Sequence, residues 1–182
     1  MVTPARPSER GQAPPPRISV ELADGTGLLD PVARITIYDV DLEQGAKIEL
    51  SVTGHDASGR HWGLFALPDE AFLTRGTLSL PLTDRPLTES TAAAQRDPGD
   101  GHVVFAVAGA MELTVSADRI TGTVTTDDDR ISAELEGEID IHCIRAVQDH
   151  PGGTIHNVDG GSAFTTETIA VHDLQGCAAL PQ

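Results

Sequence analysis

Aromatic residues are scarce: Phe, Trp and Tyr together make up 3% of the 182 residues. The core must therefore be aliphatic, and a large aromatic-lined ligand pocket is disfavoured. Sugar cleavage, which usually uses aromatic platforms, loses support for the same reason. Positive charge is also scarce. Lys plus Arg number 12 against 28 Asp plus Glu, and Lys47 is the single lysine. The formal net charge is -16. Neutralising phosphates needs clustered Lys and Arg, so nucleic acid is not an expected partner. Docking on an anionic membrane is disfavoured likewise. No run approaches the roughly 18 apolar residues of a membrane span, so no membrane insertion is expected. There is no Gly-x-Gly-x-x-Gly, no P-loop and no Gly-x-Ser-x-Gly elbow. Serines are scattered, and none has a strand-turn-helix setting. No catalytic residue is expected.

What is present is acid, and its simplest role is solubility through self-repulsion. Adaptation to a salty milieu is the sharper alternative, because salt screens that repulsion. One lysine among twelve basic residues suits either that setting or a GC-rich, bacterial genome. The opening "MVTPARPSERGQAPPPR" lacks the apolar core of a signal peptide. Its Pro, Ser and charge predict a flexible or PPII-like tail over residues 1–16. Such a tail suits a secreted or surface-displayed domain slightly better than a cytoplasmic one.

Apolar residues alternate with period two along nearly the whole remaining chain. The sets are Ile18/Val20/Leu22, Ile35/Ile37, Ile48/Leu50/Val52, Leu78/Leu80/Leu82, Val103/Phe105/Val107, Met111/Leu113/Val115/Ala117 and Ile169/Val171. This is the pattern of half-buried antiparallel strands. Turn chemistry fills the gaps: "ADGTG", "EQG", "HDASG", "DPGDG", "HPGG", "VDGG". "PDEAFLTRG" alone reads as a helical turn, with Pro68 at its start and Gly76 at its end. Residues 83–101 lack periodicity and read as a long surface loop, or a seam. The expected fold is one all-β domain over residues 17–182: an antiparallel β-sandwich, Ig-like or jelly-roll-like, or a flattened barrel. About nine to ten strands are predicted.

Residues 30–80 carry Asp30-Pro31-Val32, Gly45 before an alternating strand, Asp56-x-x-Gly59-x-x-Trp62, and Gly76 before the next strand. In these features the segment resembles the immunoglobulin-like N-terminal module of the acyl-CoA thioesterase and bile-acid acyltransferase family. The resemblance implies a sandwich with Trp62 as a core or inter-sheet packing residue. It implies no thioesterase activity, because that family's catalytic residues lie in a following hydrolase domain.

"ITGTVTTDDDRISAELEGEIDIHC" looks most like chemistry. Along residues 131–143 the odd positions are apolar; the even ones are Glu134, Glu136, Glu138, Asp140 and His142. Same-face neighbours on a strand stand roughly 6.5–7 Å apart. Calcium needs six to eight oxygens within about 2.6 Å of one point. A straight row of carboxylates cannot supply that shell, so the row reads as the wet face of a hairpin. Thr121, Thr123 and Thr125 are its expected partners on that face. Asp127, Asp128 and Asp129 read as the connecting turn, with a loosely held Ca²⁺ as the alternative.

Of seven histidines, His102, His142, His150, His156 and His172 lie beyond position 100. His150 and His156 flank a Pro-Gly-Gly turn, with Asp149 and Asp159 beside them. Their spacing marginally permits zinc. The 148–162 loop is therefore the expected place for a metal or small ligand, Ca or Zn, if one is bound. Cys143, at a strand end, and Cys177, in the tail, are disulfide candidates. The bridge requires an oxidising compartment. The primary reading is a non-enzymatic structural or protein-interaction module, partnered by another protein or by itself. A metal- or small-ligand-binding protein is the alternative, and a hydrolase stands third.

Overall fold

A computed structural model describes residues 18–39, 47–146 and 164–168, with side chains for 18–37 and 47–142. The strands are β1 (Ile18–Leu22), β2 (Leu29–Asp39), β3 (Lys47–His55), β4 (His61–Leu67), β5 (Thr77–Pro81), β6 (Thr91–Arg96), β7 (Val104–Phe105), β8 (Gly109–Ser116), β9 (Arg119–Thr126), β10 (Ala133–Glu138), β11 (Asp140–Ala146) and β12 (Phe164–Thr168). One helical turn, α1 (Phe72–Arg75), separates β4 from β5. A five-stranded sheet runs β1-β10-β9-β8-β5, and a seven-stranded sheet runs β12-β11-β2-β3-β4-β6-β7. The chain is an all-β sandwich, as its alternation predicts.

The predicted inward sets of β1, β2, β3, β5 and β8 are buried: Val20, Ile35, Ile37, Leu50, Val52, Leu80, Met111 and Leu113 all lie in one core. Trp62, which is 2% exposed, spans the two layers. Its Nε1 donates to the Ile131 carbonyl at 3.1 Å, linking β4 to the segment ahead of β10. A buried indole needs such a partner, since an unmade hydrogen bond there is costly.

The pairing departs from expectation in three places. First, β2 and β11 run parallel, so the seven-stranded sheet is mixed rather than purely antiparallel. Second, the alternating stretch 131–143 is two strands. β10 belongs to one sheet and β11 to the other. The break falls at Ile139, whose N–H donates to Asp118 of the β8–β9 turn instead of continuing the ladder. Corners of sandwiches are commonly made this way, by a strand that bends from sheet to sheet. Third, the expected loop 83–101 contains β6, paired with β4 on one side and β7 on the other. Ala92, Ala93 and Ala94 are buried there. Alanine has low strand propensity, and the burial between flanking strands overrides it. β12 is Phe164–Thr168; the expected Ile169/Val171 set lies outside the described residues.

The helical turn is shorter than "PDEAFLTRG" suggests, but Gly76 does end it, in the left-handed conformation at φ 65°. Among the described residues, no helix is long and apolar enough to cross a membrane. The tail 1–16 lies outside them.

Candidate functional site

The acidic stretch proves to be a solvated face. Glu134 stands opposite Thr123 and Glu136 opposite Thr121, as the hairpin reading requires. Their side chains are exposed, while Ala133, Leu135 and Gly137 between them are buried. Arg119 lies 3.6 Å from Glu136 across this face. Glu21 faces Glu134 directly, a like-charge pair across β1 and β10.

The turn residues are more structured than a plain loop. Asp128 is half-buried, and its Oδ1 accepts from the Arg130 backbone N–H at 2.9 Å. Its Oδ2 receives the Arg96 Nε at 3.1 Å. Burial pushes its carboxyl pKa up. The Arg130 N–H and the Arg96 guanidinium push harder the other way, and the net result lies below 3.8. Asp127 and Asp129 are exposed.

The turns at this end of the sandwich border a cleft of about 250 Å³ lined by Asp24, Asp56, Arg60, Trp62, Arg96 and Arg130, among others. Three arginines here come from a chain with 12 basic residues. The aspartates explain the loop geometry. Asp24 accepts from the Thr26 N–H, Asp56 from Ser58 and Arg60, and Asp97 from Gly99. Each is an Asx turn, in which a short carboxylate replaces a backbone acceptor. The Arg60 N–H holds the Asp56 carboxyl below 3.8. Slight desolvation opposes this; the Ser58 N–H and the charges of Arg60 and His55 assist it. Asp24, Asp56 and Asp97 therefore offset the guanidinium charge of Arg60, Arg96 and Arg130. The cleft is a neutral mouth and no strong anion trap.

Among the described residues, no group of three or more His, Cys, Asp and Glu side chains is placed to hold a metal ion. Asp149, His150, His156 and Asp159, and with them the 148–162 loop, lie outside the described residues. So does Cys177. Cys143 lies on β11, in register with Ile37 of β2 and Glu167 of β12.

The feature that sequence reading misplaced is β7. Val103, Phe105 and Val107 are an expected buried set, yet they are exposed: 49%, 41% and 70%. Ala106 is buried instead, and Val104 packs against the core. The backbone sets this phase. The Ala106 N–H donates to the Ala94 carbonyl at 2.9 Å, and Val104 stands opposite Arg96. In an antiparallel pair Val104 and Ala106 then direct their amides toward β6, and Phe105 directs its own outward. Across the ladder, Phe105 stands opposite Gln95 of β6.

The signal was "VVFAVA", Val103 to Ala108, apolar at both parities and without charge or proline. Period two names two faces but cannot choose between them when both are apolar. No protein-family model, no curated protein and no solved structure matches the chain.

Proposed function

We propose that this chain is a non-enzymatic β-sandwich module that works by binding another protein through the rim of its seven-stranded sheet. One observation supports this most: Val103, Phe105 and Val107 are exposed side by side at a sheet edge. Scattered surface apolar residues need no explanation, but a contiguous row does. Among the described residues, the other large exposed apolar side chains, Leu29 and Val32, lie elsewhere, at the β2 irregularity. Edge strands are normally guarded by lysine, proline or inward charge. β7 and its flanks at 103–108 carry none of these. The resemblance of residues 30–80 to an immunoglobulin-like, non-catalytic module fits the same reading.

A photo-crosslinking amino acid at position 105 tests it in cells, with the exposed Ser79 on the other sheet as control. A discrete heteroadduct from position 105 and none from 79 is expected. Equal labelling from both positions, or none from either, removes the interaction surface. A secreted or surface-displayed setting accords with the Pro-rich tail and with a Cys143–Cys177 bridge. Faster migration without reductant would support the bridge. Free alkylation of both thiols in the native protein would remove it.

A further inference from the structure

The geometry of the β3–β4 hairpin points to a two-histidine metal site, in which His55 and His61 hold a divalent ion of the zinc and copper class. The site is separate from the β7 rim and does not depend on it. His55 and His61 stand directly opposite each other at the end of the hairpin. The backbone fixes how closely. The Asp56 N–H donates to the Arg60 carbonyl at 2.9 Å, so 56 and 60 form a hydrogen-bonded pair. Bonded and open pairs alternate along an antiparallel ladder, so 55 and 61 form an open pair, the kind whose side chains stand closer. The His61 carbonyl agrees, since it accepts from the Asp97 N–H at 2.7 Å, on the β6 side of the strand. The turn itself is closed by Asp56, whose Oδ1 accepts from the Ser58 and Arg60 N–H groups. Little ordering is therefore left for an ion to impose.

The rings are placed to share that ion. Trp62 and Leu64 point into the core, so His61 lies on the sheet's outer face together with His55. His55 is exposed and His61 half-buried. Their ring centres are 5.8 Å apart, with planes at 78°. With zinc about 2.0–2.1 Å from each nitrogen, two imidazoles on one tetrahedral ion place their ring centres about 5.2 Å apart. A small rotation closes the difference, and χ2 of histidine is a soft torsion. Gly63 leaves the His61 ring its room, because a Cβ there would stand 2.9 Å from His61 Cε1. Among the described residues, neither ring is held by a hydrogen bond, so the ring nitrogens are available.

Imidazole selects the ion. It suits zinc and copper, whereas magnesium and calcium demand oxygen ligands. Two protein ligands leave the ion's other positions to water. The charges bordering this end balance, with Asp24, Asp56 and Asp97 against Arg60, Arg96 and Arg130. A divalent ion therefore meets no net positive field there, on a chain whose net charge is -16.

The test titrates the full chain with Zn²⁺, and separately with Mg²⁺, by calorimetry, while NMR follows the histidine rings. Three variants accompany it: His55→Gln, His61→Gln and the paired His150→Gln/His156→Gln. Zinc should shift the His55 and His61 ring signals together, and Mg²⁺ should shift neither. Either single variant should weaken zinc binding at this site at least about tenfold, since even an outer-shell partner is worth about 10–100-fold. The paired loop variant should leave both ring shifts unchanged. His55 is exposed, so His55→Gln leaves the core untouched, and the unsubstituted chain's own ring signals locate the ion without any variant. Silence of both rings at millimolar zinc overturns the site, whether or not zinc binds at His150 and His156. A shift of one ring alone, or an undiminished shift of the remaining ring in either single variant, overturns the shared ion. An equal response to Mg²⁺ overturns the histidine selectivity in favour of plain charge attraction.

Discussion

Arg96 Nε lies 3.1 Å from Asp128 Oδ2, and this contact ties the two sheets together at their open end. Arg96 ends β6 of the seven-stranded sheet, and Asp128 sits in the turn between β9 and β10 of the five-stranded one. Their side chains are 19% and 29% exposed, so solvent screens the pair only in part. Asp128→Asn should cost about 1–2 kcal/mol at pH 7. The Asp128 pKa is lower folded than unfolded. Its contribution is therefore present above about pH 4 and is lost as pH falls through the folded value. Urea midpoints of the two proteins should differ at pH 7, and the gap should narrow as pH falls below about 4. A gap that stays constant through the acid range would mean the ion pair is not its source.

Trp62 and Ile131 make the second inter-sheet tie. Trp62→Phe removes the donor and leaves a carbonyl unpaired beside a smaller ring. A loss of about 2–4 kcal/mol is expected. Trp62 is the chain's single tryptophan, so far-UV circular dichroism must follow the unfolding.

Two left-handed residues should respond in opposite ways. Ala117 sits at φ 54° in the two-residue turn between β8 and β9. Ala117→Gly should relieve about 1 kcal/mol of steric cost and raise Tm. Gly76 has φ 65°, and a Cβ there would meet the Val115 carbonyl. Gly76→Ala should lower Tm through both strain and collision.

The wet acidic face carries a removable repulsion. Glu21 and Glu134 stand directly opposite on neighbouring strands. Glu134→Lys should stabilise the fold by about 0.5 kcal/mol at low salt. The gain should shrink in 1 M salt, where the Debye length is about 3 Å. A gain indifferent to salt would point away from electrostatics.

The phase of β7 can be checked by two neighbouring lysines. Val107→Lys should change stability by less than about 0.5 kcal/mol. Ala106→Lys places a charge where the native side chain is 2% exposed, and should cost several-fold more. Thermal denaturation of the pair decides; the reverse order would restore the sequence-based phase.

The amino-acid sequence alone determined the strands whose two faces differ in polarity. In β1, in β3 and in β8 from Met111 onward, apolar and polar residues alternate, so burial could be read residue by residue. It also determined the character of the hairpin at 120–138, because a row of carboxylates tolerates only the wet side. Tertiary structure decided three things. Ala92, Ala93 and Ala94 became strand because β4 flanks them on one side and Leu82, Thr83 and Ala106 bond along the other, a pressure that no local propensity records. Residues 131–143 divided between two sheets because Ile139 bonds to a turn that is distant in sequence. Val103, Phe105 and Val107 faced outward because hydrogen bonds to β6 set their register. Where both faces of a strand are apolar, hydrophobicity leaves the choice open, and only the partner strand's backbone makes it.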